Sequence, residues 1–262
     1  MNGGAAYDGA AWAGGPALVY DRLAQVLVEA TPAPLGGRRV LDVGAGAGAV
    51  SKAVVAARGR PVAADLSFAM LAHDRPLRPP AAVADAARLP FSTGVFGATV
   101  AAFLVNHAPD PARVLGEAAR VTEHAGPVLA SVFSSRNSHP SKAQVDEVAA
   151  RFGFRVPAWF RRFKDEIEPL TATPALLAAT ARSAGLADIV VTERAVDVGV
   201  RTGADLVAWR LGMAHLAPFV ATLEPDRRRL LVTQAEAAVG PDPQPYRPVV
   251  LILAGRSPFT AG

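Results

Sequence analysis

The sequence predicts an α/β domain: a doubly wound, mostly parallel sheet with helices on both faces and helical insertions over one edge. Three observations predict it. Short apolar β runs alternate with helical patterns about five times between residues 39 and 133. The first run is closed by three spaced glycines, Gly44, Gly46 and Gly48. The next two runs end on aspartates, Asp65 and Asp85. Repeated βα units close right-handed crossovers, which places helices on both faces of a parallel sheet.

Residues 16–31 carry Leu18, Val19, Leu23, Val26 and Leu27 at helical spacing, and the helix must stop before Pro32 and Pro34. Arg39–Val43 is the first strand, and residues 49–58 resume helical spacing. Pro61–Ala64 is the second strand, Phe68–Ala72 a short helix, and Ala81–Ala84 the third strand. Gly97–Leu104 is the fourth. Asp110-Pro111 then opens a helix, with an aspartate cap and a proline whose missing N–H costs nothing there. Pro127–Phe133 is the fifth strand. Residues 134–170 show no strand pattern. Thr173-Pro174 opens a helix ended by Gly185, Ile189–Val198 alternates as a sixth strand, and residues 202–239 read as two helices. After a proline-rich loop, Val249–Ala254 is an unbroken apolar run, as a fully buried strand should be.

Composition narrows the function. The chain has 262 residues, 51% hydrophobic and 19% charged, too apolar for disorder and long enough to bury a large core. It has no cysteine, which excludes disulfides, cysteine zinc sites, iron–sulfur clusters and a cysteine nucleophile. The five histidines show no ligand spacing with carboxylates, so no metal is expected. Three lysines stand against 24 arginines, and alanine makes up about a fifth of the chain. That bias reflects a GC-rich genome more than a nucleic-acid partner, although the net charge is +4. No basic segment leads into an apolar run at the N-terminus, and the uncharged stretch 89–109 is broken by Pro90, Gly94 and Gly97. A cytoplasmic protein, off the membrane, is expected.

The glycine turn joins a strand to a helix. Glycine there lets backbone approach a ligand, and the helix N-terminus offers free N–H groups. A tight turn that binds nothing would use the same residues. Asp65 follows Gly46 by 19 residues and ends the second strand, where a carboxylate accepts hydrogen bonds from ribose hydroxyls. Asp85 places a second carboxylate on the same edge. A nicotinamide dinucleotide would also suit a glycine turn and an acid at this spacing.

Four ordered stretches, VLDVGAGAGAVS (40–51), AADLSFAML (63–71), VADAARLPF (83–91) and FGATVAAFLVNHAPDPARVLGEAARV (96–121), resemble class I S-adenosylmethionine-dependent methyltransferases. The similar branch includes quinone-biosynthesis and natural-product tailoring enzymes. The resemblance implies a Rossmann-like, seven-stranded sheet whose last strand runs antiparallel beside the sixth. It implies that S-adenosyl-L-methionine is the cofactor and S-adenosyl-L-homocysteine the product. Asp42, Gly44, Ala45, Gly46 and Gly48 would wrap its methionine part, and Asp65 would hold the ribose. Leu66 and Met70 would flank the adenine, Asp85 and Ala86 would meet its amino edge, Phe103 would sit near the sulfonium, and Tyr20 would be a further cofactor contact. On this reading residues 1–34 are an N-terminal helical lid and 35–133 the cofactor-binding core. Residues 134–184 are a helical cap, and 185–262 complete the core around a second insertion, 199–248.

The Asn/Asp-Pro-Pro-aromatic signature of many nucleic-acid and protein amino-group methyltransferases is missing. A small-molecule acceptor is therefore expected, with the protein a monomer or homodimer. Trp12, Trp159, Trp209 and Tyr246 are the candidate acceptor contacts, because lid aromatics suit an enclosed apolar pocket. The alternative is that they only pack the lid. His107, just past the fourth strand, is the candidate general base. A methyltransferase-fold enzyme that binds the cofactor but catalyses cyclisation or rearrangement is the main alternative. An NAD-dependent oxidoreductase and a non-catalytic binding protein are further ones.

Overall fold

The computed structural model describes residues 15–73 and 78–258. Helix α1 (Pro16–Glu29) precedes β1 (Arg39–Val43), α2 (Ala49–Ala56), β2 (Arg60–Asp65), α3 (Phe68–Ala72), β3 (Ala81–Val83), β4 (Ala98–Ala102), α4 (Pro111–Val121) and β5 (Pro127–Phe133). The chain then forms α5 (Pro140–Arg151), α6 (Ala158–Arg162), α7 (Pro174–Ser183), β6 (Ala187–Ala195), α8 (Gly203–Leu211), α9 (Ala217–Ala221), α10 (Pro225–Val239) and β7 (Val249–Arg256).

The seven strands form one sheet in the order β3-β2-β1-β4-β5-β7-β6. The pairs β1–β2, β1–β4, β2–β3 and β4–β5 are parallel, and β7 runs antiparallel to both β5 and β6. The carboxyl ends of β1 to β6 therefore share one edge. The strand order reverses between β1 and β4, the place where open α/β sheets bind ligands.

The apolar patterning explains the layers. Val19, Leu23, Val26 and Leu27 of α1 pack with Val50 and Val54 of α2 on one face. Val114, Leu115 and Ala118 of α4 pack with Leu177 and Ala181 of α7 on the other. Val145, Leu206 and Leu231, from α5, α8 and α10, lie in the first of these cores, so the inserted helices continue one face of the sheet. At the start of α1 a Cβ on Gly15 would stand 2.2 Å from the Ala208 carbonyl oxygen, so only glycine lets α1 dock on α8. Prolines open α4, α5, α7 and α10, and Asp110 caps α4 by accepting from the Arg113 N–H at 3.0 Å.

Several boundaries differ from the sequence reading. Helix α1 ends at Glu29, and Thr31 turns the chain by donating to the Ala33 carbonyl at 2.8 Å. Strand β4 stops at Ala102 because Phe103 adopts φ +52°, which no strand residue holds. Residues 202–239 form three helices rather than two, α8 being stopped at Gly212 before the short α9. Strand β6 begins two residues earlier than read, and β7 runs on to Arg256. Residues 134–170 hold α5 and α6, then a π-helical turn, Phe163–Ile167, and a 3₁₀ turn, Glu168–Thr171.

Candidate functional site

The glycine turn leaves β1 with Gly44, Gly46 and Gly48 all in the left-handed region, at φ +71°, +47° and +88°. The Gly44 and Ala45 N–H groups both donate to the Ala64 carbonyl, at 2.8 and 3.1 Å, which pins the turn to β2. Asp65 then ties two loops together. Its Oδ2 accepts from the Gly46 N–H and its Oδ1 from the Ser67 N–H, each at 2.8 Å. A carboxylate has about four acceptor positions, so further donors can be met there. A Cβ on Gly44 would press on Leu104 at 2.9 Å, and one on Gly48 would press on the Arg78 guanidinium at 2.8 Å. At Gly46 it would touch only the Met70 Cε, at 3.6 Å. Leu104, Met70 and Arg78 thus wall the turn. Only Met70 belongs to the sequence-derived set; Arg78 stands on no motif spacing.

Asp42 is the most perturbed acid at this edge. It is 1% exposed. Its Oδ2 accepts from Ser51 Oγ at 2.7 Å, while Oδ1 is buried with no hydrogen-bond partner. Burial pushes its pKa up to about 7; the Ser51 hydrogen bonds and the Arg78 charge pull the other way, and the Asp65 charge adds to the rise. A buried acceptor left unpaired costs about 1–3 kcal/mol, so this oxygen fits a cationic group delivered by a ligand. The α-ammonium of an amino-acid-bearing cofactor is such a group. Leu66 lies half exposed beside Asp65, and Asp85 is exposed, its Oδ1 accepting from the Ala87 N–H at 2.9 Å. Ala86 sits partly buried in the same turn.

At the neighbouring strand ends the chemistry is apolar. Phe103, 9% exposed, packs on Phe133 at 4.6 Å and takes Tyr20 edge-on at 5.2 Å. A left-handed phenylalanine is strained, and such strain clusters at functional sites. Beside it, Asn106 Oδ1 and Ser131 Oγ are buried without partners. His107 closes a 3₁₀ turn, Val105–His107, and stacks on Phe163 at 4.4 Å with the rings 5° apart. Burial alone holds its pKa at about 4, so the imidazole is neutral at physiological pH and a weak base.

The lid candidates separate. Trp209 and Tyr246 are buried, 3% and 1% exposed, and stack on each other at 4.2 Å inside the main core. Trp159 is half-buried and meets Phe160 edge-on at 5.6 Å. Trp12 lies outside the described residues. His139 caps α5: Nδ1 accepts from the Ser141 N–H, while Nε2 meets the Gln244 carbonyl at 3.0 Å. Among the described residues no group of three or more His, Asp or Glu side chains could hold a metal, and no helix is long and apolar enough to cross a membrane.

Residues 41–130 match the family described as a methyltransferase domain. The matched stretch runs from β1 into β5 and holds the glycine turn, Asp65 and Asp85. The chain is 36% identical over 110 residues to a demethylmenaquinone methyltransferase of Mycolicibacterium paratuberculosis, covering 41% of this chain and 48% of that protein. A second, from Mycolicibacterium gilvum, is 42% identical over 98 residues, covering 37% and 42%. The matched stretch thus spans about half the length of these curated relatives.

Solved structures share the fold. Haemonchus contortus phosphoethanolamine N-methyltransferase 2, in complex with S-adenosyl-L-methionine, superposes with a TM-score of 0.56 at 16% identity, covering 90% of this chain and 52% of that one. The [4+2]-cyclase SpnF superposes with a TM-score of 0.54 at 22% identity, covering 91% and 81%. S-adenosyl-L-methionine is the ligand of the Haemonchus contortus structure. The orphaned Asp42 oxygen and the backbone-lined Gly46 turn fit it.

Proposed function

We propose that this protein transfers the methyl group of S-adenosyl-L-methionine to a small, largely apolar molecule, in the cytoplasm and within bacterial secondary metabolism. The observation that carries the reading is the pairing of Asp42 and Asp65 at adjacent strand ends. One keeps a buried oxygen free for a cation, and the other is held by Gly46 and Ser67 where hydroxyls can reach it. Both flank a turn whose backbone a ligand can approach. In this proposal Tyr20 and Phe103 face the reacting centre, Leu66, Met70, Asp85 and Ala86 surround the base, and Trp159 faces the acceptor.

When bound, the cofactor supplies an electrophilic methyl group, displaced in line by the acceptor's nucleophilic atom. The protein's part is to align the two and exclude water. The apolar set Tyr20, Phe103 and Phe133 does this at the ends of β4 and β5. His107, neutral and stacked, can accept a proton only weakly.

The relatives that act on demethylmenaquinone make a planar quinol-like acceptor the first class to try. The test is incubation with cofactor and a library of hydroxylated aromatics, read by mass spectrometry. A methyl mass gain with stoichiometric S-adenosyl-L-homocysteine supports transfer. A second reading, cyclisation with the cofactor retained, draws on the fold shared with a [4+2]-cyclase and on the weak basicity of His107. A mass-neutral product formed without S-adenosyl-L-homocysteine would establish that reading and overturn the first.

A further inference from the structure

Among the described residues, five charged side chains gather beneath the inserted helices, and their pairing leaves one cation over. Arg210 on α8, 9% exposed, grips Asp146 on α5 at two points: Nε to Oδ1 at 2.8 Å and Nη2 to Oδ2 at 2.5 Å. Lys164, in the π-helical turn, pairs with Glu168. Both carboxylates are thereby engaged. Among the described residues Lys142, in the first turn of α5, has no carboxylate partner and donates only to the Asn137 carbonyl, at 3.1 Å. Its Nζ overlies the stacked pair, 5.6 Å from the Tyr246 ring centre and 5.9 Å from that of Trp209.

The surroundings are short of acceptors. The Trp209 indole N–H is buried without a partner, and so is Nε2 of His215, which stacks on Phe160 at 3.8 Å. His139 spends its Nε2 on the Gln244 carbonyl, and the Tyr246 hydroxyl lies 3.5 Å from Asn137 Oδ1. Burial, together with the Arg210 and Lys164 charges, lowers the Lys142 pKa to about 8, against the opposite pull of Glu168 and Asp146. A buried cation without a counter-ion is costly, and so is a buried N–H without an acceptor. Both costs are relieved by one oxyanion. The segment is also well placed. It follows β5, whose last residue, Phe133, packs on Phe103 at the candidate reaction edge. Lysine is scarce in this chain, three against 24 arginines, so an ammonium here stands out from the composition.

We propose that Lys142, with the Trp209 indole N–H beside it, is the docking point for an oxyanion of the acceptor: a phenolate, enolate or carboxylate oxygen on a planar frame. This rests on the acceptor site assumed in the methyltransferase reading and names the chemistry of its ligand.

The experiment measures binding of two planar probes, 2-naphthoate and its neutral analogue 2-naphthamide, to the full chain by calorimetry, with and without S-adenosyl-L-homocysteine. The wild type should prefer the carboxylate by about 10-fold, as one charged hydrogen bond implies. Lys142→Met should abolish the preference, and Lys142→Arg should keep part of it. Cofactor-product affinity and melting temperature should hold in both variants. Equal affinity for the two probes, no binding of either, or a preference that survives Lys142→Met would each overturn the proposal. Titration of the wild type with S-adenosyl-L-homocysteine alone is the separate control. Its failure would count against the methyltransferase reading, not against the oxyanion site, which the probes report by themselves.

Discussion

The two halves of the binding edge are built from contacts of different reach. Around β1 and β2 the polar partners are near in sequence: Ser51 to Asp42 is 9 residues, Gly46 to Asp65 is 19, and Ser67 to Asp65 is 2. Under the inserted helices they are far apart: Arg210 to Asp146 spans 64 residues, His139 to Gln244 105, and Tyr246 to Asn137 109. The first half is a local device, a turn and two strand ends. The second exists only after the whole chain has folded. A change in the first should therefore strike cofactor binding and spare stability, and a change at a core residue of the second should strike stability and spare cofactor binding.

The largest expected effect breaks the distant half. Trp209→Ala removes a stacked, buried indole from the main core and should cost about 3–5 kcal/mol, read as a lower denaturation midpoint, with cofactor affinity unchanged in the folded fraction. Trp159→Ala, half-buried on α6, should cost less than about 1 kcal/mol and register instead in acceptor KM. Equal destabilisation by the two would erase the distinction drawn between them.

Next in size is the local half. Asp65→Ala should lower affinity for S-adenosyl-L-homocysteine by about 10- to 100-fold, the worth of hydrogen bonds to a charged acceptor, while the melting temperature moves little. Unchanged affinity in calorimetry would remove Asp65 from the ribose assignment.

Asp42 sharpens the contrast through pH. Its raised pKa means that the folded protein holds a proton between the ordinary carboxylate range and about 7. The unfolded chain does not, so stability falls as pH rises through that window. Binding a cationic ammonium requires the ionised form, so a proton is released and cofactor affinity rises with pH, by up to about tenfold per unit, before levelling above 7. Asp42→Asn should flatten both profiles. Titrations at several pH values that show no slope in the wild type would refute the ammonium assignment.

The smallest effect is expected at the junction of the two halves. Held at about 4 by burial, the His107 pKa should leave turnover without an inflection near 6.5. His107→Gln should change S-adenosyl-L-homocysteine affinity by less than about twofold. An inflection near 6.5 that vanishes in this variant would restore His107 as the base.

Much of the fold was legible in the residues. Strand alternation between 39 and 133, the glycine turn and the closing aspartates predict the sheet and its binding edge, because each signal repeats within about 20 residues. The boundaries that differ have local physical causes the pattern does not carry, such as the left-handed Phe103 that ends β4. The candidate site divides along the same line. Gly46 and Asp65 meet as their spacing requires. Arg78 at Gly48, Leu104 at Gly44 and Phe163 on His107 were not readable, because no periodicity links them.

By itself, then, the sequence determined the α/β class, the candidate binding edge and the acids placed along it, since strand period, turn chemistry and cap residues are short-range properties. Tertiary structure alone decided which charges are paired and which aromatics are core. Joining Arg210 to Asp146 depends on two helices that meet across 64 residues, and burial is what turns an ordinary acid or lysine, Asp42 or Lys142, into a perturbed one.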